Sequence, residues 1–127
     1  MPDAEEIRAI VDRYTEVFSA GDKAGYVGLF AADATLEDPV GGEVHRGTEA
    51  ISAFWDATRE MTPTIELRRT GPVRVAGQEA AFPGEARPSL GDVPMVVPIV
   101  DTLAFDADGK ITQLRAFWDF ADLRPVE

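Results

Sequence analysis

The chain has 127 residues, no cysteine and a single histidine, His45. Any acid–base work therefore falls to carboxyls and phenols. His45 stands beside Arg46 and Gly47 in a segment that reads as a loop. It has no ligand-like companions there, which argues against a metal site. Basic residues are scarce as well: 12 Lys and Arg stand against 23 Asp and Glu, for a net charge of −11. Nucleic acids and anionic membrane surfaces both call for a basic patch, so neither is an expected partner. The same balance favours a neutral ligand over an anionic one. No run approaches the roughly 20 apolar residues of a membrane span. The first residues, Met1-Pro2-Asp3-Ala4-Glu5-Glu6, are acidic and unlike a signal or transit peptide, so the expected location is the cytoplasm.

What is present suffices for a core. Hydrophobic residues make up 45% of the chain, with two Trp and seven Phe, which fits one packed domain over residues 1–127. Asp3 followed by Glu6 reads as a helix start. Ile7, Ile10, Val11, Tyr14, Val17 and Phe18 then recur at helical spacing. Gly21 ends that helix and Asp22 can cap a second, with Tyr26, Val27, Leu29 and Phe30 as its buried face. A strand follows over residues 34–38, stopped by Pro39 and the Gly41-Gly42 pair. Thr48 can cap a third helix, with Ile51, Phe54 and Trp55 inward and Pro63 beyond its end.

After that the pattern turns to strands. Ile65–Thr70 and Val73–Ala76 flank Gly71-Pro72. Ala80–Ala86 reads as a poor strand broken by Pro83 and Gly84. Val93–Phe105 and Lys110–Phe120 form a hairpin around Asp106-Ala107-Asp108-Gly109. Helices first and strands later give an α+β fold: three helices on one face of a curved, largely antiparallel mixed sheet.

Two carboxylates break the period-two pattern. In Ala34-Thr35-Leu36-Glu37-Asp38, Asp38 shares a face with Ala34 and Leu36, while Glu37 points the other way, to solvent. In Ile99-Val100-Asp101-Thr102-Leu103-Ala104-Phe105, Asp101 shares its face with Ile99, Leu103 and Phe105. An acid on the apolar side of a sheet is costly unless it has a partner or a task. Taken singly, each candidate also has a structural reading. Tyr14 can be a core tyrosine, Asp38 the start of a turn, Asp101 half of a buried ion pair, and Trp118 a core residue.

Arg13-Tyr14, Ala20-Gly21-Asp22, the run from Leu29 to Gly41, Gly47, Ala53-Phe54, Gly71-Pro72-Val73-Arg74, Ile99-Val100-Asp101 and Ala116-Phe117-Trp118 together resemble the ketosteroid isomerase family. Its scaffold is the cone-like nuclear-transport-factor-2 fold. The resemblance implies a cofactor-free isomerase acting on a steroid-like substrate, and a homodimer. The family is a type case in which an Asp base works opposite an oxyanion hole made of a Tyr and a protonated Asp. By position the base is Asp38, and the two donors are Tyr14 and Asp101. Trp118 matches an aromatic on the base's side of the pocket, and Trp55 and Phe82 are expected to line it. Trp55 stands where relatives often carry a tyrosine that supports the catalytic one, and Phe30 likewise lacks a hydroxyl. Tyr14 is therefore expected to stand without a supporting chain of phenols. A polyketide-cyclase-like or dehydratase-like enzyme on another ketone, or a non-catalytic module for an apolar ligand, are the alternatives on this scaffold.

Overall fold

A computed structural model describes all 127 residues. Helix α1 spans Ala4–Ala20, and its start is the expected capping box: the Asp3 side chain accepts from the Glu6 N–H while Glu6 reaches back to the Asp3 N–H. Gly21 ends it with φ +72°, a left-handed conformation that a side chain would strain. Helix α2 is one short turn, Lys23–Val27, capped by Asp22 accepting from Gly25 N–H. It stops earlier than expected. Phe30 opens strand β1, Phe30–Glu37, and the Leu29 carbonyl already accepts from Ile111 N–H, so sheet pairing overrides the helix.

Strand β2, Val44–Arg46, was not foreseen, and it moves His45 from a loop into the sheet. Helix α3 spans Thr48–Met61; its cap is Gly47 at φ +87°, so Thr48 is the first helical residue and makes no capping bond. Strands β3 (Ile65–Arg69), β4 (Arg74–Ala76), β5 (Glu79–Leu90), β6 (Val93–Phe105) and β7 (Ile111–Phe117) follow, and then β8 (Arg124–Pro125). The β6–β7 turn is the expected one, with Gly109 at φ +81° and the Asp106 side chain accepting from Asp108 and Lys110 N–H. Strand β7 ends before Trp118, and Phe120–Asp122 forms a 3₁₀ turn.

The main sheet runs β2-β1-β7-β6-β5-β3, with β4 on β5 and β8 on β6. Only β1 and β7 pair in parallel, so the sheet is mixed but largely antiparallel; it stays unclosed, and the three helices pack on it in the cone-like fold. The β5 segment is a full twelve-residue strand rather than a broken one. Pro83 survives there because its missing N–H faces the gap between the β3 and β4 ladders. Its carbonyl points the same way and accepts from Thr70 N–H at 3.0 Å. Gly84 is required by close approach: a Cβ there would lie 2.5 Å from the Arg68 carbonyl oxygen.

The core lies between α1, α3 and the concave alternation of the strands. Ile7, Val11, Leu36, Ile51, Ile111 and Leu114 are fully enclosed. The period-two reading holds at both acid-bearing strands. Ala34 and Leu36 are buried, and Ile99, Asp101, Leu103 and Phe105 form one buried file in β6. Glu37 departs from expectation: it is half-buried and accepts from Arg115 Nε at 3.0 Å across the parallel β1–β7 pair. No helix is long and apolar enough to cross a membrane.

Candidate active site

Asp38 sits one residue past the end of β1, half-buried and aimed as the alternation requires. The indole N–H of Trp118 donates to its Oδ1 at 2.6 Å, across 80 residues of sequence. Trp118 is itself steadied by an edge-on Phe120 ring at 4.6 Å. Burial pushes the Asp38 carboxyl above its usual range, while the Trp118 bond and the charge of His45 pull it partly back. The anion is thus held by one donor and remains basic. A cleft of about 530 Å³ opens beside it, lined by Asp38, Pro39, His45, Phe54 and Ala57. That volume falls within the range of about 300–1,000 Å³ usual for small-molecule sites. His45 is stacked on Phe54, with ring centroids 4.3 Å apart.

Asp101 is the opposite kind of acid. It is 3% exposed in the middle of β6, and none of the six ion pairs in the protein includes it. The buried ion-pair reading of this residue therefore fails. Burial drives its carboxyl well above the ordinary value, and the nearby charge of Asp38 drives it further; a hydrogen bond from Tyr14 opposes the rise. The result is an unlike pair. Asp38 gives up its proton first, and its negative charge then keeps the proton on Asp101. A neutral carboxyl on an apolar face is a hydrogen-bond donor.

Tyr14, also 3% exposed, projects from α1 into this group. Burial pushes its phenol well up, and ionisation of Asp101, Tyr26 or Asp38 would push it further, so it keeps its proton. One carboxylate thus lies within electrostatic reach of two buried groups that hold protons, a phenol and a carboxylic acid, although neither Tyr14 nor Asp101 lines the cleft beside Asp38. Such a constellation can take a proton from carbon while stabilising negative charge on an oxygen.

Of the aromatic residues singled out from the sequence, Trp118 touches the base directly. Phe82 is 1% exposed and pairs across β5–β6 with Asp101, on the same buried face. Trp55 lies farther back, 7% exposed, with its ring 4.7 Å from Tyr26 and 5.9 Å from Phe18. One residue went unrecognised. Tyr26 is 4% exposed and its ring lies 5.7 Å from that of Tyr14, so Tyr14 does have a phenol beside it. Only the helical spacing of Tyr26 marked it in the sequence, and that signal reads equally well as core. No three of the Asp, Glu and His side chains converge as a metal site would need.

Residues 11–114 match the SnoaL-like domain family. The chain is 41% identical over 118 residues to a steroid Δ-isomerase of Nocardioides simplex, covering 93% of this chain and 94% of that protein. It is 27% identical over 146 residues to the epoxide hydrolase LasB of Streptomyces lasalocidi, covering 96% of this chain but only half of that protein. Among solved structures, the epoxide hydrolase/cyclase-like enzyme SalBIII, of pyran ring formation in salinomycin, superposes with a TM-score of 0.90 at 25% identity. That match covers 99% of this chain and all of the other.

Proposed function

The chain belongs to the SnoaL-like domain family and to the ketosteroid isomerase family within the same fold, and we propose on that premise that it is a cofactor-free steroid Δ-isomerase. The observation that carries the reading is the buried Asp101, paired with no cation and close enough to Tyr14 and Asp38 for both to shift its proton affinity. A binding module for an apolar ligand has no use for a carboxylate at its cleft and a second acid buried behind it without a cation.

In the proposed reaction Asp38 removes the C4 proton of a 3-oxo-Δ5-steroid. The C–H electron pair moves into the ring, and charge collects on the C3 oxygen as a dienolate. Tyr14 and Asp101 donate to that oxygen; two preorganised donors in a dry wall hold it better than water does. Asp38 then returns its proton at C6, the ring double bonds shift to the conjugated Δ4-3-ketone, and the enzyme is restored. One carboxyl can serve both carbons because they lie along one face of a flat, rigid ligand. Trp118 positions Asp38 through its N–H, and with Phe82 it supplies aromatic wall to the steroid site, while Trp55 stands farther back against Tyr26.

The test is direct. A Δ5-3-ketosteroid is added and the rise of conjugated-enone absorbance is followed for the native protein and for Asp38→Asn. The two side chains are nearly isosteric, so folding is retained. General-base catalysis is typically worth about 10²–10⁴-fold, and a loss of that order is expected. Near-native turnover in folded Asp38→Asn would reject the mechanism, and tight steroid binding without turnover by the native protein would favour a binder. The likeness to SalBIII favours one other reading, cyclase-like chemistry, in which the same Asp38 and Asp101 serve as base and acid on an oxygen-bearing ring. Turnover of the steroid separates the two.

A further inference from the structure

A steroid held at its C3 oxygen has most of its rings still to place. Asp38 lines a cleft that neither Tyr14 nor Asp101 lines. A ligand anchored by those two donors, with C4 and C6 at Asp38, has its remaining rings free to extend into that cleft. The lining is mostly apolar. Ala50, Ala53 and Ala57 of α3 leave room for a flat ring system, and Phe54 gives it an aromatic side. Among the side chains that line the cleft, only His45 carries an N–H. Glu43 is there too, but a carboxylate accepts and does not donate.

The sheet places His45. It pairs with Leu36 across β1–β2, and Asp38 lies two residues beyond Leu36 on the same face. Imidazole and carboxyl are therefore diagonal neighbours, which in an antiparallel pair sit about 7–8 Å apart. That gap is of the order of the distance from C6 of a steroid to an oxygen on C17. None of the protein's ion pairs or side-chain hydrogen bonds takes up the ring nitrogens of His45. The ring is nevertheless held, stacked on Phe54 with 4.3 Å between centroids and 31° between planes. A fixed ring with an unused N–H thus stands across the cleft from the base. A mostly apolar cleft with a few placed polar groups is the usual form of a small-molecule site.

We propose that His45 is a specificity residue of the steroid site: its ring N–H donates to an oxygen on C17, at the end of the ligand opposite C3. This rests on the isomerase reading and narrows its substrate class to 3-oxo-Δ5-steroids that carry a ketone or hydroxyl at C17. Tyr14 and Asp101 hold one end of the ligand and His45 the other. The nucleus is rigid, so fixing both ends sets C4 and C6 against Asp38. A hydrocarbon chain at C17 brings no acceptor to His45 and covers its N–H with carbon, which costs the hydrogen bond that the N–H otherwise makes to water.

The experiment compares two Δ5-3-ketosteroids, one with a ketone at C17 and one with only hydrogens there. Steady-state isomerisation of each is measured for the native protein, His45→Phe and His45→Gln, with a thermal melt of all three. The readout is the ratio of kcat/KM for the ketone to kcat/KM for its deoxy counterpart within each protein. That ratio cancels whatever His45 does to the charge of Asp38, since both substrates use the same base. His45→Phe keeps a ring on Phe54 and deletes the N–H. The native ratio should exceed that of His45→Phe about three- to tenfold, the worth of one neutral hydrogen bond, with the difference mainly in KM. His45→Gln retains an amide N–H and should hold the ratio nearer the native one. Should His45→Phe not fold, His45→Leu takes its place with the same expectation. Equal ratios in native protein and the variant without the N–H would overturn the inference and leave the isomerase reading standing. A native protein that isomerises neither steroid would overturn that reading and this inference with it.

Discussion

Asp101 should make the protein less stable as pH rises, and replacing it should remove that dependence. Folding buries this carboxyl to 3% exposure with no cation beside it, so its folded-state pKa lies well above the ordinary value of 3.8. Between the two values the folded chain holds a proton that the unfolded chain has lost. The stabilisation is fully present below the ordinary value and is lost as pH rises through the folded one. The slope from this group is about 1.4 kcal/mol per pH unit. Asp101→Asn is nearly isosteric and cannot titrate. Its melting temperature relative to native protein should climb steadily from the ordinary aspartate range upward and level off above the folded-state pKa of Asp101.

Activity gives the second half of the test. Asp101→Leu keeps the approximate volume and removes the donor, for a loss on the order of 10²–10³ in kcat. Asp101→Asn still offers an amide N–H to the dienolate oxygen and should be about tenfold or more faster than Leu. Both variants should fold, because no partner cation is stranded. Turnover and calorimetric melting across a pH series read both effects. A melting temperature of Asp101→Asn that stays level or falls relative to native protein as pH rises would refute the protonated carboxyl. Equal rates for Asn and Leu, or a rate loss that simply tracks unfolding, would refute its role as a donor.

Local signals made most of this arrangement legible. The capping box at Asp3 and Glu6 and the helical spacing from Ile7 to Phe18 placed Tyr14 on the buried side of α1, where it lies. Alternation alone put Asp38 with Leu36, and Asp101 with Ile99 and Leu103. What escaped was set by tertiary pairing. Pro83 looked like a strand breaker because nothing local shows that its bare nitrogen faces the gap between two ladders. Glu37 looked solvated because Arg115 arrives from 78 residues away, through the only parallel pair in the sheet. Tyr26 looked like core because its meeting with Tyr14 depends on how a one-turn helix folds back after Gly21. Each departure from the sequence reading near the acids lies at a join between elements, where the crossing geometry decides which side chains meet.

Removing the Tyr14 hydroxyl in Tyr14→Phe should cost on the order of 10²–10³ in kcat with a much smaller change in KM, because the donor matters once charge has formed. A loss confined to KM in steady-state assays would make Tyr14 a packing residue. The outer face of the sheet should form a homodimer interface, since Val100 and Phe117 pair across β6–β7 there and are 43% and 41% exposed. Sedimentation should find a dimer, and Val100→Glu with Phe117→Glu should dissociate it; a monomeric native protein would refute this. The last expectation concerns Trp118. Its N–H bond stabilises the charged form of Asp38 and holds that carboxyl below where burial alone would put it. Trp118→Phe keeps an aromatic wall and deletes the donor, so the Asp38 pKa must rise. Asp38 works as a base only when ionised, and the acid limb of the kcat/KM profile reports its ionisation in the free enzyme. That limb should therefore move to higher pH in Trp118→Phe, with turnover well above the limb far less affected than in Asp38→Asn. A limb that stays in place, or moves to lower pH, would mean that some group other than Asp38 is the base.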